Sequence, residues 1–218
     1  MAGARETRRG KIFRIDPKAP SKEIILEAVK VLASGGVILF PTLSLYGLGA
    51  DAFDPSAIAR VFEIKQRPAS KPLLVLVRDM NDLRSLVKDV PGAAQKLMDR
   101  FWPGNITLVF EARNKVPENL CAGTGKIGIR MPFHPVAKAL CQAFGKPITA
   151  TSANLSGASG GESLGSMDQT VINRVDLVLD AGPLAGGSGS TVVDVTANPP
   201  KILREGTVPT ESVLDALL

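Results

Sequence analysis

Apolar positions recur along this chain with two distinct periods. After Ser21, residues Ile24, Ile25, Ala28, Val29 and Leu32 fall on one helical face, with Ser21 placed as N-cap and Gly35-Gly36 as terminator. Val37 to Phe40 is a short unbroken apolar run, the pattern of a strand buried on both faces. Asp54-Pro55 reads as N-cap and first-turn proline of a helix over 56–66. Further strands are predicted at 73–77, 106–110, 127–131, 148–151, 177–179 and 191–195. Helices are predicted near 82–87, 92–101, 135–144 and 169–174, with a last one from Glu211. Strands interleaved with helices predict a layered α/β domain built on one mixed sheet. Residues 1–20 read as a basic tail and first strand and 21–218 as one domain, because no internal repeat or long linker divides them.

Composition narrows the class. With 44% hydrophobic and 22% charged residues, the 218-residue chain has the make-up of a soluble globular protein. Lys and Arg exceed Asp and Glu by 26 − 21, a net charge of +5. That excess permits polyanions or anionic small molecules as ligands and equally suits a mildly basic cytosolic enzyme. Arg5, Arg8, Arg9 and Lys11 read as a frayed basic tail able to brush nucleic acid, and Met1 to Lys11 lacks the apolar core of a secretory signal. No run approaches the roughly 20 apolar residues of a membrane span. Cys121 and Cys141 form no C-x-x-C pair, and His134 is the single histidine. No disulfide framework and no metal cluster is expected, and a reducing, cytoplasmic setting fits.

The candidate chemistry is anion binding. Lys65-Gln66-Arg67 ends one predicted helix, and Ser152-Ala153-Asn154 follows the strand-like run 147–151. Charge-assisted donors facing hydroxyl and amide groups describe a phosphate or carboxylate pocket. Lys65 continues the apolar stripe of Ile58, Val61 and Phe62, so it either snorkels along the core edge or projects into a cavity. Arg60, Lys65, Arg67 and Lys71 against Glu63 sum to 4 − 1 = +3 around the helix end, which favours an anion site over simple capping. Arg130 shares its strand face with Gly128, which leaves room for a ligand; a solvated face is the equal alternative. Arg204-Glu205-Gly206 is either a surface ion pair or an anion clamp, and Gly189-Ser190-Thr191 offers N–H groups and a hydroxyl to an oxyanion.

Three tempting motifs fail on context. Gly47-Leu48-Gly49-Ala50-Asp51-Ala52 fits G-x-G-x-x-A, but its helix starts late and no acidic residue follows at the right distance. Gly157-Ala158-Ser159-Gly160-Gly161 fits G-x-S-x-G without a leading strand, and the only histidine precedes it. Gly125-Lys126 lacks the Ser or Thr of a P-loop.

Five segments occur in the order typical of the YrdC/Sua5 family of threonylcarbamoyl-AMP synthases, which this chain resembles from about Ser21 to Val208. They are Phe40-Pro41-Thr42-Leu43-Ser44-Leu45-Tyr46-Gly47-Leu48-Gly49, Lys65-Gln66-Arg67-Pro68 with Lys71-Pro72-Leu73, Gly128-Ile129-Arg130-Met131-Pro132, Thr151-Ser152-Ala153-Asn154-Leu155-Ser156-Gly157 and Gly189-Ser190-Thr191-Val192-Val193-Asp194. The resemblance implies a YrdC-like twisted mixed β-sheet flanked by helices, with a basic concave pocket, in the single-domain form. It implies conversion of L-threonine, bicarbonate and ATP to threonylcarbamoyl-AMP and pyrophosphate, with Mg²⁺ accompanying the ATP. The product would pass to tRNA t6A-transfer proteins. By the same resemblance Ser44, Arg130 and Ser190 are threonine-side contacts, and Arg67, Lys71, Ser152, Asn154 and Arg204 are ATP-side contacts. Lys65 and Arg67 are expected in catalysis, and Ala150 offers a backbone contact. Many relatives carry His in place of Leu76, an acidic residue in place of Leu43 and Thr in place of Lys126, departures that bear on amino-acid preference and phosphate contact.

Two rival readings share the basic charge. One is a non-catalytic module for tRNA or double-stranded RNA; one Trp, one Tyr and no aromatic–basic interleaving speak against single-strand stacking. The other is a paralogue acting on a different carbamoyl or nucleotide substrate.

Overall fold

The computed structural model describes residues 10–218. Its strands form two mixed sheets rather than the single sheet expected. The first contains, in spatial order, β1 (Lys11–Arg14), β9 (Leu177–Asp180), β2 (Ile38–Pro41), β3 (Tyr46–Gly49) and β8 (Thr151–Ser152). The second contains β11 (Lys201–Arg204), β10 (Thr191–Asp194), β5 (Ile106–Glu111), β6 (Lys126–Arg130), β4 (Leu74–Leu76) and β7 (Ile148–Thr149). The helices are α1 (Lys22–Ala33), α2 (Pro55–Lys65), α3 (Met80–Leu86), α4 (Gly92–Phe101), α5 (Glu118–Cys121), α6 (Pro135–Phe144), α7 (Gln169–Ile172) and α8 (Thr210–Asp215).

Helix α1 presents Ile25, Ala28 and Leu32 to the first sheet, where they join Ile38, Phe40 and Leu177 with Val136 and Leu140 of α6. Each such large aliphatic side chain contributes about 1.5–3 kcal/mol by leaving water. Ser21 precedes α1 as expected but does not cap it, because its hydroxyl donates to Glu23 at 2.6 Å. The cap at Asp54 is real: its carboxylate accepts from the N–H groups of Ser56 and Ala57 at 2.9 and 3.1 Å.

The second sheet follows the period-two rule closely. Ile106, Leu108, Phe110, Ile127, Ile129 and Val193 belong to the larger core, each at most 1% exposed. The register pairs Val109 with both Gly128 and Asp194, and Thr107 with Val192. The opposite face therefore carries Thr107 and Val109, Gly128 and Arg130, and Val192 and Asp194 side by side. That face is the floor of the cavity described below.

Four local expectations change. The run 148–151 is two strands, not one: β7 pairs with β4 in the second sheet and β8 with β3 in the first. Ala150 is the crossing point, with its N–H donating to Leu74 at 2.8 Å. Strand β3 hides in the glycine-rich stretch because Gly49 has no room for a side chain; a Cβ would stand 2.7 Å from the Phe40 ring. Strand β11 is mostly exposed, so it shows no apolar alternation. Lys11 is no frayed residue: it pairs with Leu177 in β1, whereas Arg5, Arg8 and Arg9 lie outside the described residues.

Candidate active site

Between the two sheets lies a cavity of about 1260 Å³. Its floor is the polar face of β10, β5 and β6, and its sides are the turn before β3, the loop after α2 and the crossing strand at Ala150. Loops from 158–162 and 187–189 cover it. Ser44, Arg67, Lys71, Arg130, Ala150, Ser152, Asn154, Ser190 and Arg204, scattered over much of the chain, all line this one space. Lys65 does not.

The guanidinium groups are gathered without matching carboxylates. Arg67 is fixed by its own loop, donating from Nε to Lys71 O at 3.0 Å and from Nη2 to Pro72 O at 2.9 Å. Burial, then the charge of Arg204, lowers its pKa. Arg204 donates to Ser190 O at 2.7 Å, an approach that only Gly206 permits, since a Cβ there would lie 2.4 Å from the Ser190 carbonyl carbon. Arg130 is 8% exposed, and its buried Nε has no hydrogen-bond partner. Burial, followed by repulsion from Arg204, pulls Arg130 down to about 10, so it remains cationic at neutral pH. A buried cation left unpaired costs several kcal/mol of solvation, about what an incoming anion returns. Arg130 is therefore a guanidinium prepared for a carboxylate or phosphate.

Neutral donors surround it. Ser44 Oγ accepts from Asn105 Nδ2 at 3.3 Å, and the Ser190 and Thr107 hydroxyls share a hydrogen bond of 2.7 Å. Asn105 and Thr107 were not singled out from the sequence. Their signal was the alternation through Val109 on β5, but which strand lay beside them was not readable. Lys126 and Asp194 face each other across the floor at 2.8 Å. Burial raises the Asp194 pKa, but hydrogen bonds from Lys126 and Thr196 outweigh it and leave the carboxylate below its usual value.

Lys65 departs most from expectation. The buried face of α2 carries it inward to 1% exposure, and Gln66, at φ 49°, then ends the helix and turns Arg67 toward the cavity. Lys65 Nζ donates to Ser152 O, to Asn154 O at 2.9 Å and to Asn154 Oδ1 at 3.3 Å. Asn154 Nδ2 is occupied as well, by Leu155 O at 2.8 Å and Ala158 O at 2.6 Å. The expected tetrad thus divides by role: Lys65 and Asn154 lock one another and the turn after β8, while Arg67, Ser152 and part of Asn154 face the space. Burial, and secondarily the charge of Arg67, lowers Lys65 to about 7.

Comparison with known proteins agrees with this architecture. A family model for Sua5, YciO and YrdC proteins, described as "Telomere recombination", matches residues 30–206. A threonylcarbamoyl-AMP synthase of Pyrococcus abyssi is 37% identical over 85% of this chain. The match spans only 55% of that relative's own length. A putative threonylcarbamoyl-AMP synthase of Mycobacterium tuberculosis is 37% identical, covering 93% of this chain and 92% of its own. The YciO protein of Escherichia coli, uncharacterised, is 36% identical over 89% of this chain and 94% of its own. Among solved structures, P. abyssi Sua5 complexed with L-threonine superposes with a TM-score of 0.87 at 34% identity, covering 94% of this chain and 60% of that one. E. coli YciO superposes with a TM-score of 0.83 at 33% identity, covering 94% and 99% of the two chains. Two mixed sheets, the ordered motifs and these likenesses have one explanation: the chain belongs to the Sua5/YciO/YrdC family.

Proposed function

We propose that this chain is a threonylcarbamoyl-AMP synthase, joining L-threonine, bicarbonate and ATP with release of pyrophosphate. The observation that carries the reading is the unpartnered Arg130 guanidinium in a cavity that also holds Arg67, Lys71 and Arg204. The cavity, about 1260 Å³, exceeds the roughly 300–1,000 Å³ of single small-molecule sites, as a site for two organic substrates requires.

In this reading the threonine amine attacks the carbon of bicarbonate or CO₂, and the resulting N-carboxylate displaces pyrophosphate at the α-phosphorus. Arg130 forks onto the threonine carboxylate, with Ser44 and Ser190 beside it. Arg67, Lys71 and Arg204 spread over the triphosphate and the departing pyrophosphate, and Ser152 fixes the nucleotide by a neutral hydrogen bond. Lys65 and Asn154 act at one remove, by holding Ser152 in place. No nucleophilic side chain is needed. Mg²⁺ would neutralise the triphosphate, carried mainly by the phosphates themselves. Among the described residues no group of three or more His, Cys, Asp or Glu is placed to cage it, and Asp194 is already engaged by Lys126.

The product would be consumed by proteins that transfer threonylcarbamoyl to tRNA in the cytoplasm, with residues 21–218 acting as one domain. Among the described residues no helix is long and apolar enough to cross a membrane. The test supplies ATP, Mg²⁺ and bicarbonate with each amino acid in turn and measures pyrophosphate and acyl-adenylate. Release that depends on both threonine and bicarbonate is expected; release indifferent to the amino acid would end the reading.

A further inference from the structure

We infer that Glu162 receives the α-ammonium of the amino-acid substrate and takes up its proton as the amine becomes nucleophilic. The inference rests on the synthase reading above and adds a residue to it.

The charged side chains lining the cavity are Arg67, Lys71, Lys126, Arg130 and Arg204, against Glu162 and Asp194. Asp194 is committed: Lys126 donates to Oδ2 at 2.8 Å, and Thr196 donates to Oδ1 from its N–H and hydroxyl at 2.9 and 2.6 Å. Glu162 takes part in none of the ion pairs among the described residues. One uncommitted carboxylate thus stands in a hollow otherwise built for anions. Carboxylate, bicarbonate and triphosphate have no use for it. The ammonium is the only cationic group among the substrates, and it is the group that must react.

Placement supports the assignment. The Glu162 carbonyl accepts from Leu184 N–H at 2.8 Å, and the carbonyl of Gly161 accepts from Tyr46 N–H at 2.9 Å, so the main chain is pinned on both sides. Glu162 Oε2 lies against Gly186, where a Cβ would stand only 2.5 Å from it. The N–H of the same Gly186 donates to Ser44 O at 2.9 Å. Through Gly186 the Glu162 carboxylate thus neighbours the Ser44 main chain, on the side of the cavity assigned above to the amino acid.

The chemistry balances. The ammonium gives one proton to Glu162, leaving a free amine with its electron pair and a neutral carboxylic acid. The amine adds to bicarbonate with loss of water, forming the N–C bond of the N-carboxylate. In sum, R–NH₃⁺, HCO₃⁻ and the Glu162 carboxylate become R–NH–CO₂⁻, H₂O and the Glu162 carboxylic acid. Arg130 holds the substrate carboxylate throughout.

The experiment titrates the protein, free of nucleotide and metal, with L-threonine and with 3-hydroxybutyrate, which is threonine without its amine. Wild type should prefer threonine by about 10- to 100-fold, the worth of one charge-assisted hydrogen bond. Glu162→Gln should lose that preference while binding 3-hydroxybutyrate as before, and Glu162→Asp should restore part of it. The residue is exposed, so an unchanged melting curve is expected for both variants. Turnover by Glu162→Gln should rise about tenfold per pH unit as the free amine increases, a slope that wild type lacks. A Gln variant that keeps both the preference and the wild-type pH profile overturns the assignment. So does one altered only in its Mg²⁺ requirement. Wild type that binds neither compound removes the amino-acid site itself, a result distinct from either.

Discussion

Replacing Lys65 with Met should leave the fold nearly as stable as before and still abolish most of the activity. Two large opposing effects meet at this side chain. The ammonium is 1% exposed, and its pKa falls from 10.5 to about 7; at about 1.36 kcal/mol per unit, burial of the charge costs on the order of 5 kcal/mol. Removing it takes a donor from Ser152 O, which keeps the Asn154 N–H at 3.0 Å, and orphans two oxygens, the carbonyl and the side-chain oxygen of Asn154, at about 1–3 kcal/mol each. The Met variant relieves the first effect and incurs the second, so the two offset one another. The net change should stay within about 2 kcal/mol. Position is another matter: the turn from Ser152 to Ala158 loses its anchor, and an error of about 1 Å at a catalytic group costs about 100-fold. Urea unfolding, pyrophosphate release and amide exchange at Ala153, Ser156 and Ala158 measure the three parts. Exchange at those amides should quicken. Lost activity with unchanged exchange would mean that Lys65 touches the ligand itself, and full activity would mean that the turn needs no anchor. The pH dependence has a definite sign. Folded Lys65 titrates below its unfolded value, so the unfolded chain binds more protons between about pH 7 and 10.5, and wild-type stability gains relative to the Met variant across that window. Below pH 7 the difference is constant.

Arg130→Ala should raise the threonine requirement by about 10- to 100-fold, with the ATP requirement little changed; equal effects on both would contradict its place at the amino-acid carboxylate. Gly206→Ala places a Cβ 2.4 Å from the Ser190 carbonyl carbon and 2.5 Å from Gly189 O, and should cost about 1–3 kcal/mol in urea, together with activity, because Arg204 and Ser190 must separate. Asp54→Ala removes the bonds to Ser56 and Ala57 and should cost about 1 kcal/mol with turnover intact; lost turnover would reveal coupling from the start of α2 to its end.

Local order was legible wherever a pattern repeats within one element. The stripe of α1, the Asp54-Pro55 start of α2 and the alternation Lys126-x-Gly128-x-Arg130 depend on neighbours in sequence, and the structure keeps each of them. The ordered motifs pointed to the family, and nine of the residues the resemblance marked line one cavity. What the sequence could not supply was the identity of partners far along the chain. Strands β7 and β8 look like one run because the break at Ala150 is decided by Leu74 and Tyr46, each supplying a carbonyl from a different sheet. Glu162 lay in a loop of small residues with no periodicity to mark it. Lys65 shows the division most clearly: helical spacing determined that it points inward, but only the fold decided that its ammonium meets the carbonyls of Ser152 and Asn154 rather than open cavity. Periodicity is a property of backbone geometry and travels with the sequence, whereas the partner of a buried charge is set by long-range packing.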